Sequence, residues 1–168
     1  ALACAFANVV RWIFLPILIL GTLSDIFDGV LARRFGVATP ALRRYDSITD
    51  VIYYLFILGA LWRLCHEVVT HNLWAVAVIL ASEAGSILVC AVKFGQYPAT
   101  HSWLAKFYGL CLLGGLIALL AFAAGDRAVL ALAGVAAVTN AEIILLHLLA
   151  QTPPVDVPSV FHWRKRRK

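Results

Sequence analysis

Four aspartates stand in two close pairs within an otherwise oily chain: Asp25 and Asp28 lie three residues apart, Asp46 and Asp50 four apart. On a helix, both spacings put the side chains on one face. A carboxylate near hydrocarbon costs several kcal/mol unless it is paired, hydrated or bound to metal, so acids placed there mark a functional site. If the two pairs meet, four negative charges share one place, and divalent cations are the natural counterweight. All-oxygen ligation suits Mg²⁺ or Mn²⁺ first and Ca²⁺ second. Two such ions would clamp a pyrophosphate and stabilise both the entering and the leaving oxygen of an in-line displacement. Gly29 and Ala32 leave room for a nucleotide beside the backbone, and Arg33 offers a bidentate donor for phosphate.

The elements that must position these residues are membrane helices. The chain is 62% hydrophobic and 14% charged, with a mean hydropathy of +0.89, whereas soluble domains are about 25% charged. Apolar runs predict five spans, near residues 2–24, 46–64, 73–92, 104–123 and 127–150, each close to the ~20 residues a bilayer requires. The expected fold is all-α, a polytopic membrane helix bundle with five spans in this chain and six in the complete protein. Residues 1–152 form the transmembrane domain and 153–168 a basic tail. Pro40 belongs near the start of the second helix, where its missing N–H costs nothing. The first pair of aspartates then closes a helix and the second pair opens the next. The four cysteines show no CxxC or Cys/His cluster and read as small buried hydrophobes.

Basic residues alternate in density along the chain. Arg33, Arg34, Arg43 and Arg44 occupy the first connection, Lys93 and Lys106 flank the third, and Arg164 to Lys168 end the tail, against Arg63 and Arg127 on the other side. The positive-inside rule puts the dense side, with all four aspartates and the C-terminus, in the cytoplasm. The first residue then falls outside, consistent with a further helix upstream. The isoelectric point near 9.3 follows from this topology and does not argue for nucleic acid.

The string D25-IF-D28-G29-VL-A32-R33 to D46-SIT-D50 resembles the signature of the CDP-alcohol phosphotransferases, D-x2-D-G-x2-A-R-x8-G-x3-D-x3-D. Seven of its eight fixed positions match over 26 residues. Looser likeness extends to residues 93–107 and 140–159. The resemblance implies an enzyme, usually a homodimer, of an integral membrane; a bacterial inner membrane is the expected setting. It displaces CMP from a CDP-linked lipid such as CDP-diacylglycerol with an alcohol acceptor, in phospholipid biosynthesis. It also implies that Asp25, Asp28 and Asp46 are ligands of Mg²⁺ or Mn²⁺, two ions in all. Asp50 is a further ligand and the catalytic base that takes the hydroxyl proton. Asp25, Asp28, Gly29, Ala32 and Arg33 would border the CDP moiety. The family's second glycine falls at position 42, where this chain has Leu42, adding four carbons against the nucleotide.

Arg43 and Lys106, with Lys93, would form a cationic pocket for a phosphorylated acceptor, or simply be topology-setting flanks. Glu83 and Glu142 either line a cavity or tie helices together by hydrogen bonds. Two other functions stay open: a cation carrier whose transport site is the aspartate group, and a catalytically silent scaffold. Acids gathered at one membrane face and a single motif without an inverted repeat speak against the carrier.

Overall fold

The computed structural model describes residues 2–37, 39–122, 125–155 and 157–161, without the side chains of residues 2–11, Ile26, Arg33, Pro40 and Phe122. Six helices follow in order: α1 (Leu2–Arg34), α2 (Pro40–Leu64), α3 (His66–His71), α4 (Leu73–Phe94), α5 (Trp103–Phe122) and α6 (Gly125–Leu149). There is no strand among the described residues. All but α3 are long and apolar enough to cross a membrane, so the expected bundle of five spans holds.

The helices outrun the apolar segments at the aspartate end. α1 continues ten residues past the expected end at 24, and α2 begins at Pro40 rather than 46. Charge ends a hydropathy run, but arginine is a good helix former and does not end a helix. What ends α1 is Gly36, whose φ of +70° suits glycine. There Val37 N–H reaches back to the Ala32 carbonyl at 3.0 Å, the bond of a Schellman motif. Three residues later Thr39 caps α2, its hydroxyl accepting from Leu42 N–H at 3.2 Å, with Pro40 next in line as expected. The first connection is thus a tight turn, and the aspartates lie on regular helical faces inside α1 and α2. The remaining spans differ from expectation by one or two residues at their ends. The connector expected between Arg63 and His71 holds the short α3, six residues long.

α6 is the most buried of the spans and packs between α4 and α5. Ala133 and Ala136 on α6 and Ala75 on α4 are nearly inaccessible; small side chains let membrane helices approach closely where no hydrophobic force drives them together. Asn140 donates to the Ser82 hydroxyl across this seam at 3.2 Å. A second core joins Leu18 of α1, Ile57 and Leu61 of α2, Val69 of α3, and Leu116 and Leu120 of α5. At the far end, Asn72 donates to Asp126 at 2.6 Å and holds the start of α6 against the α3–α4 junction.

After α6 the chain doubles back. The described residues of 150–161 lie against the aspartate end. Thr100 donates to the Pro154 carbonyl at 2.9 Å, Trp103 N–H to the Pro158 carbonyl at 3.0 Å, and Val160 N–H to the Glu142 carboxylate at 3.2 Å. Leu146, Val157 and Val160 bury together beneath this strap. The basic run Arg164 to Lys168 lies outside the described residues.

Candidate metal and nucleotide site

α1 and α2 meet through a phenol. Tyr53 on α2 donates to the Leu18 carbonyl on α1 at 3.0 Å. Its hydroxyl fits because position 21 is glycine: a Cβ there would lie 2.7 Å from the Tyr53 oxygen. Asp50 precedes Tyr53 by three residues and Asp25 follows Gly21 by four, so this side-chain contact lies one turn from both acidic positions.

Asp25, Asp46 and Asp50 converge there. One carboxylate oxygen from each lies within 4.8 Å of the others. Asp46 and Asp50 are half-buried and Asp25 is exposed. Two unit charges about 4 Å apart repel by about 4 kcal/mol at an effective dielectric of 20, so three carboxylates at this spacing call for a bound cation or proton. Their donor set is purely oxygen, which fits a hard divalent ion. Asp28 is exposed, one turn further along α1, and is not part of this close group. Gly29 and Ala32, both half-buried, continue the stripe of Asp25 and Asp28 at helical spacing. Arg33 lies on α1, and its side chain is outside the described residues.

On α2, Leu42 and Arg43 stand one turn before Asp46 on its own face. Leu42 is 44% exposed, and Ser47 donates to the Arg43 carbonyl at 3.0 Å. Lys106 is exposed in the first turn of α5. Lys93 donates instead to the Leu148 carbonyl at 2.7 Å and closes the end of α6. Glu142 accepts from Ser102 at 3.0 Å as well as from Val160; Glu83 lies within hydrogen-bond reach of Asn140 and Tyr108. Both glutamates therefore tie elements of the bundle together.

Sequence reasoning did not find Arg44, Gln96 and Tyr97. Arg44 donates to the Gln96 side chain from 52 residues away, and no local pattern signals such a pair. Tyr97, in the α4–α5 loop, has its phenol pushed up from the ordinary tyrosine range by burial, then by the nearby Glu83 and Asp50 carboxylates, so it remains a hydrogen-bond donor at neutral pH.

A five-span helical protein of this composition is an integral, multi-pass membrane protein, and the carboxylate triad between its first two helices is a group that could hold a hard cation. The chain belongs to the CDP-alcohol phosphatidyltransferase family, whose model matches residues 1–150. Members are transferases of phospholipid synthesis that act on CDP-alcohol substrates with a divalent metal. No curated protein and no solved structure matches the chain.

Proposed function

We propose that this protein transfers a phosphatidyl group from a CDP-linked lipid such as CDP-diacylglycerol to an alcohol, releasing CMP. The observation that supports this reading most is the carboxylate triad, built across α1 and α2 from residues of the family signature. Asp25, Asp46 and Asp50 would hold Mg²⁺ or Mn²⁺, with Asp28 reaching a second ion. Such ions supply charge stabilisation for the pyrophosphate and the leaving CMP.

The chain's own residues do the rest. Gly29 and Ala32 would give the nucleotide a shallow helix surface, and Arg33, as the family signature implies, would pair with phosphate. Asp50 accepts the proton of the acceptor hydroxyl as its oxygen bonds to the lipid-linked phosphorus. The P–O bond to CMP breaks in the same displacement, and CMP departs with its electrons. Holding the two substrates in line contributes much of the rate in such reactions. The basic connections support a cytoplasmic site and C-terminus, and Arg43 and Lys106 would attract a charged acceptor. We include a homodimer in the proposal; its mass in detergent tests that part.

The decisive experiment is thermal shift of the purified protein with CDP, with and without Mn²⁺. Stabilisation by CDP that requires Mn²⁺ and vanishes in Asp46→Asn supports the transferase. Mn²⁺ binding with no CDP effect overturns it, and uptake of labelled Mn²⁺ into proteoliposomes would then establish the carrier.

A further inference from the structure

The surface changes character where α5 begins. Trp103 and Phe107 are 62% and 57% exposed, one turn apart, and Lys106 stands exposed on the same face. The strap brings Phe161, 75% exposed, toward this place. Trp103 N–H donates to the Pro158 carbonyl at 3.0 Å, and Val160 N–H to the Glu142 carboxylate, which also accepts from Ser102. Exposed apolar side chains along a span meet acyl chains, but Phe161 belongs to no span. The described residues of 150–159 are not helical, and open backbone of that kind does not lie against lipid within the hydrocarbon. Phe161 and Trp103 therefore sit near headgroup depth, where aromatic rings gather.

Charge then selects among headgroups. After His162 and Trp163 the sequence runs from Arg164 to Lys168, five cations with no acid among them. The opposite end of the bundle has its own exposed tryptophans, Trp62 and Trp74. Among the described side chains there, however, Arg63 and Arg127 are offset by Glu67 and Asp126. Aromatic anchors and a surplus of cations thus coincide at the aspartate end. Charge alone would serve to orient the chain. The aromatic residues beside it supply the apolar half of a two-part membrane hold, in which one apolar anchor is marginal and an added polybasic patch makes it firm. Basic residues at a membrane surface act through anionic lipids.

We propose that the strap and the first turns of α5 form a docking surface for anionic phospholipid headgroups. Trp103 and Phe161 lie in the interface, the run Arg164 to Lys168 pairs with lipid phosphates, and anionic lipid thereby holds the strap against the bundle. The partner is a lipid surface rather than a substrate, and neither metal nor nucleotide is needed for it to bind.

Chymotrypsin cuts after accessible aromatic residues, so loss of the tail at Phe161 or Trp163 reports an undocked strap. The full chain is placed in nanodiscs of phosphatidylcholine, alone or with about 30% phosphatidylserine to make the surface negative, in low salt with EDTA. The anionic discs should lengthen the half-life of the tail at least about tenfold, each basic residue at the surface being worth about fivefold. Arg166→Gln alone should then shorten it about fivefold in those discs, and changing all five cations to Gln should remove the difference between discs. Salt at about 1 M, which cuts the Debye length to about 3 Å, should remove it too. Trp103→Ser, at an exposed position, should shorten the half-life severalfold without moving Tm in detergent. Equal half-lives in the two discs, or protection that survives the change of all five cations, overturns the docking surface. A half-life unmoved in Trp103→Ser removes α5 from it. Protection that appears only when Mn²⁺ and CDP replace EDTA would put the lipid in the aspartate site instead, and overturns the proposal.

Discussion

Tyr53 and Gly21 fit each other across the α1–α2 crossing: the phenol reaches the Leu18 carbonyl only because the glycine has no Cβ to meet it. That contact, with the packing of Leu18 against Ile57 and Leu61, joins the helices bearing Asp25 and Asp50. Tyr53→Phe removes one hydrogen bond and should cost about 1 kcal/mol. Gly21→Val should cost about 1–3 kcal/mol by overpacking, and should also weaken Mn²⁺ binding by spreading the triad. Melting in detergent and Mn²⁺ titration check both; an undiminished Mn²⁺ affinity in Gly21→Val would show that the register is set elsewhere.

Asp46 contributes one of the three converging carboxylates. Asp46→Asn should reduce turnover at least about a hundredfold, as when a charge-stabilising group is lost from an active site, and should lower Mn²⁺ affinity. Full CMP release by this variant would make the triad structural.

Chelation bears on the same three residues. Binding to the folded state alone stabilises by about 2.7 kcal/mol at a ligand concentration one hundred times Kd. Excess Mn²⁺ should therefore raise Tm and EDTA should return it to the metal-free value. In a variant with Asp25, Asp46 and Asp50 all changed to Asn, Tm should be the same in Mn²⁺ and EDTA; a persistent difference would place the ion elsewhere.

Leu42 stands one turn before Asp46, partly exposed, where the family signature has glycine. Leu42→Gly should leave Mn²⁺ binding intact and tighten CDP binding, at a helix-propensity cost of up to about 1 kcal/mol. Isothermal titration with CDP decides it: unchanged or weaker affinity means that the site has adapted around the leucine.

Glu142 holds the strap by accepting from Ser102 and from Val160 N–H. Glu142→Leu strands both donors, at about 1–3 kcal/mol for a buried group left unsatisfied. Limited proteolysis should then cleave within residues 150–161 well before the spans. A cleavage rate equal to wild type would show that the Thr100 and Trp103 bonds suffice.

Much of this was legible in the sequence because it is local. Hydropathy gave the number of spans, since each helix must satisfy its own backbone in lipid. Spacings of three and four put Asp25 with Asp28 and Asp46 with Asp50 on shared faces before any packing was known. Helix ends were less legible: Asp25 and Asp28 on one side and the arginines at 43–44 on the other bound the hydropathic runs, while the backbone stops at Gly36 and restarts at Thr39, where capping geometry decides.

What only the tertiary structure decided lies between helices. Periodicity within one helix says which face carries the acids, but not which residue of the neighbour lies opposite. Interhelical register follows from side-chain fit, as where Tyr53 passes over Gly21. Packing of this kind gathers Asp25 with Asp46 and Asp50 and leaves Asp28 outside the close group. Likewise, nothing in the segment after α6 announces that Pro154 will meet Thr100, or that Arg44 will meet Gln96. Those partners are dozens of residues apart, and proximity at such range is a property of the packed bundle, whereas composition and local spacing are properties of the chain.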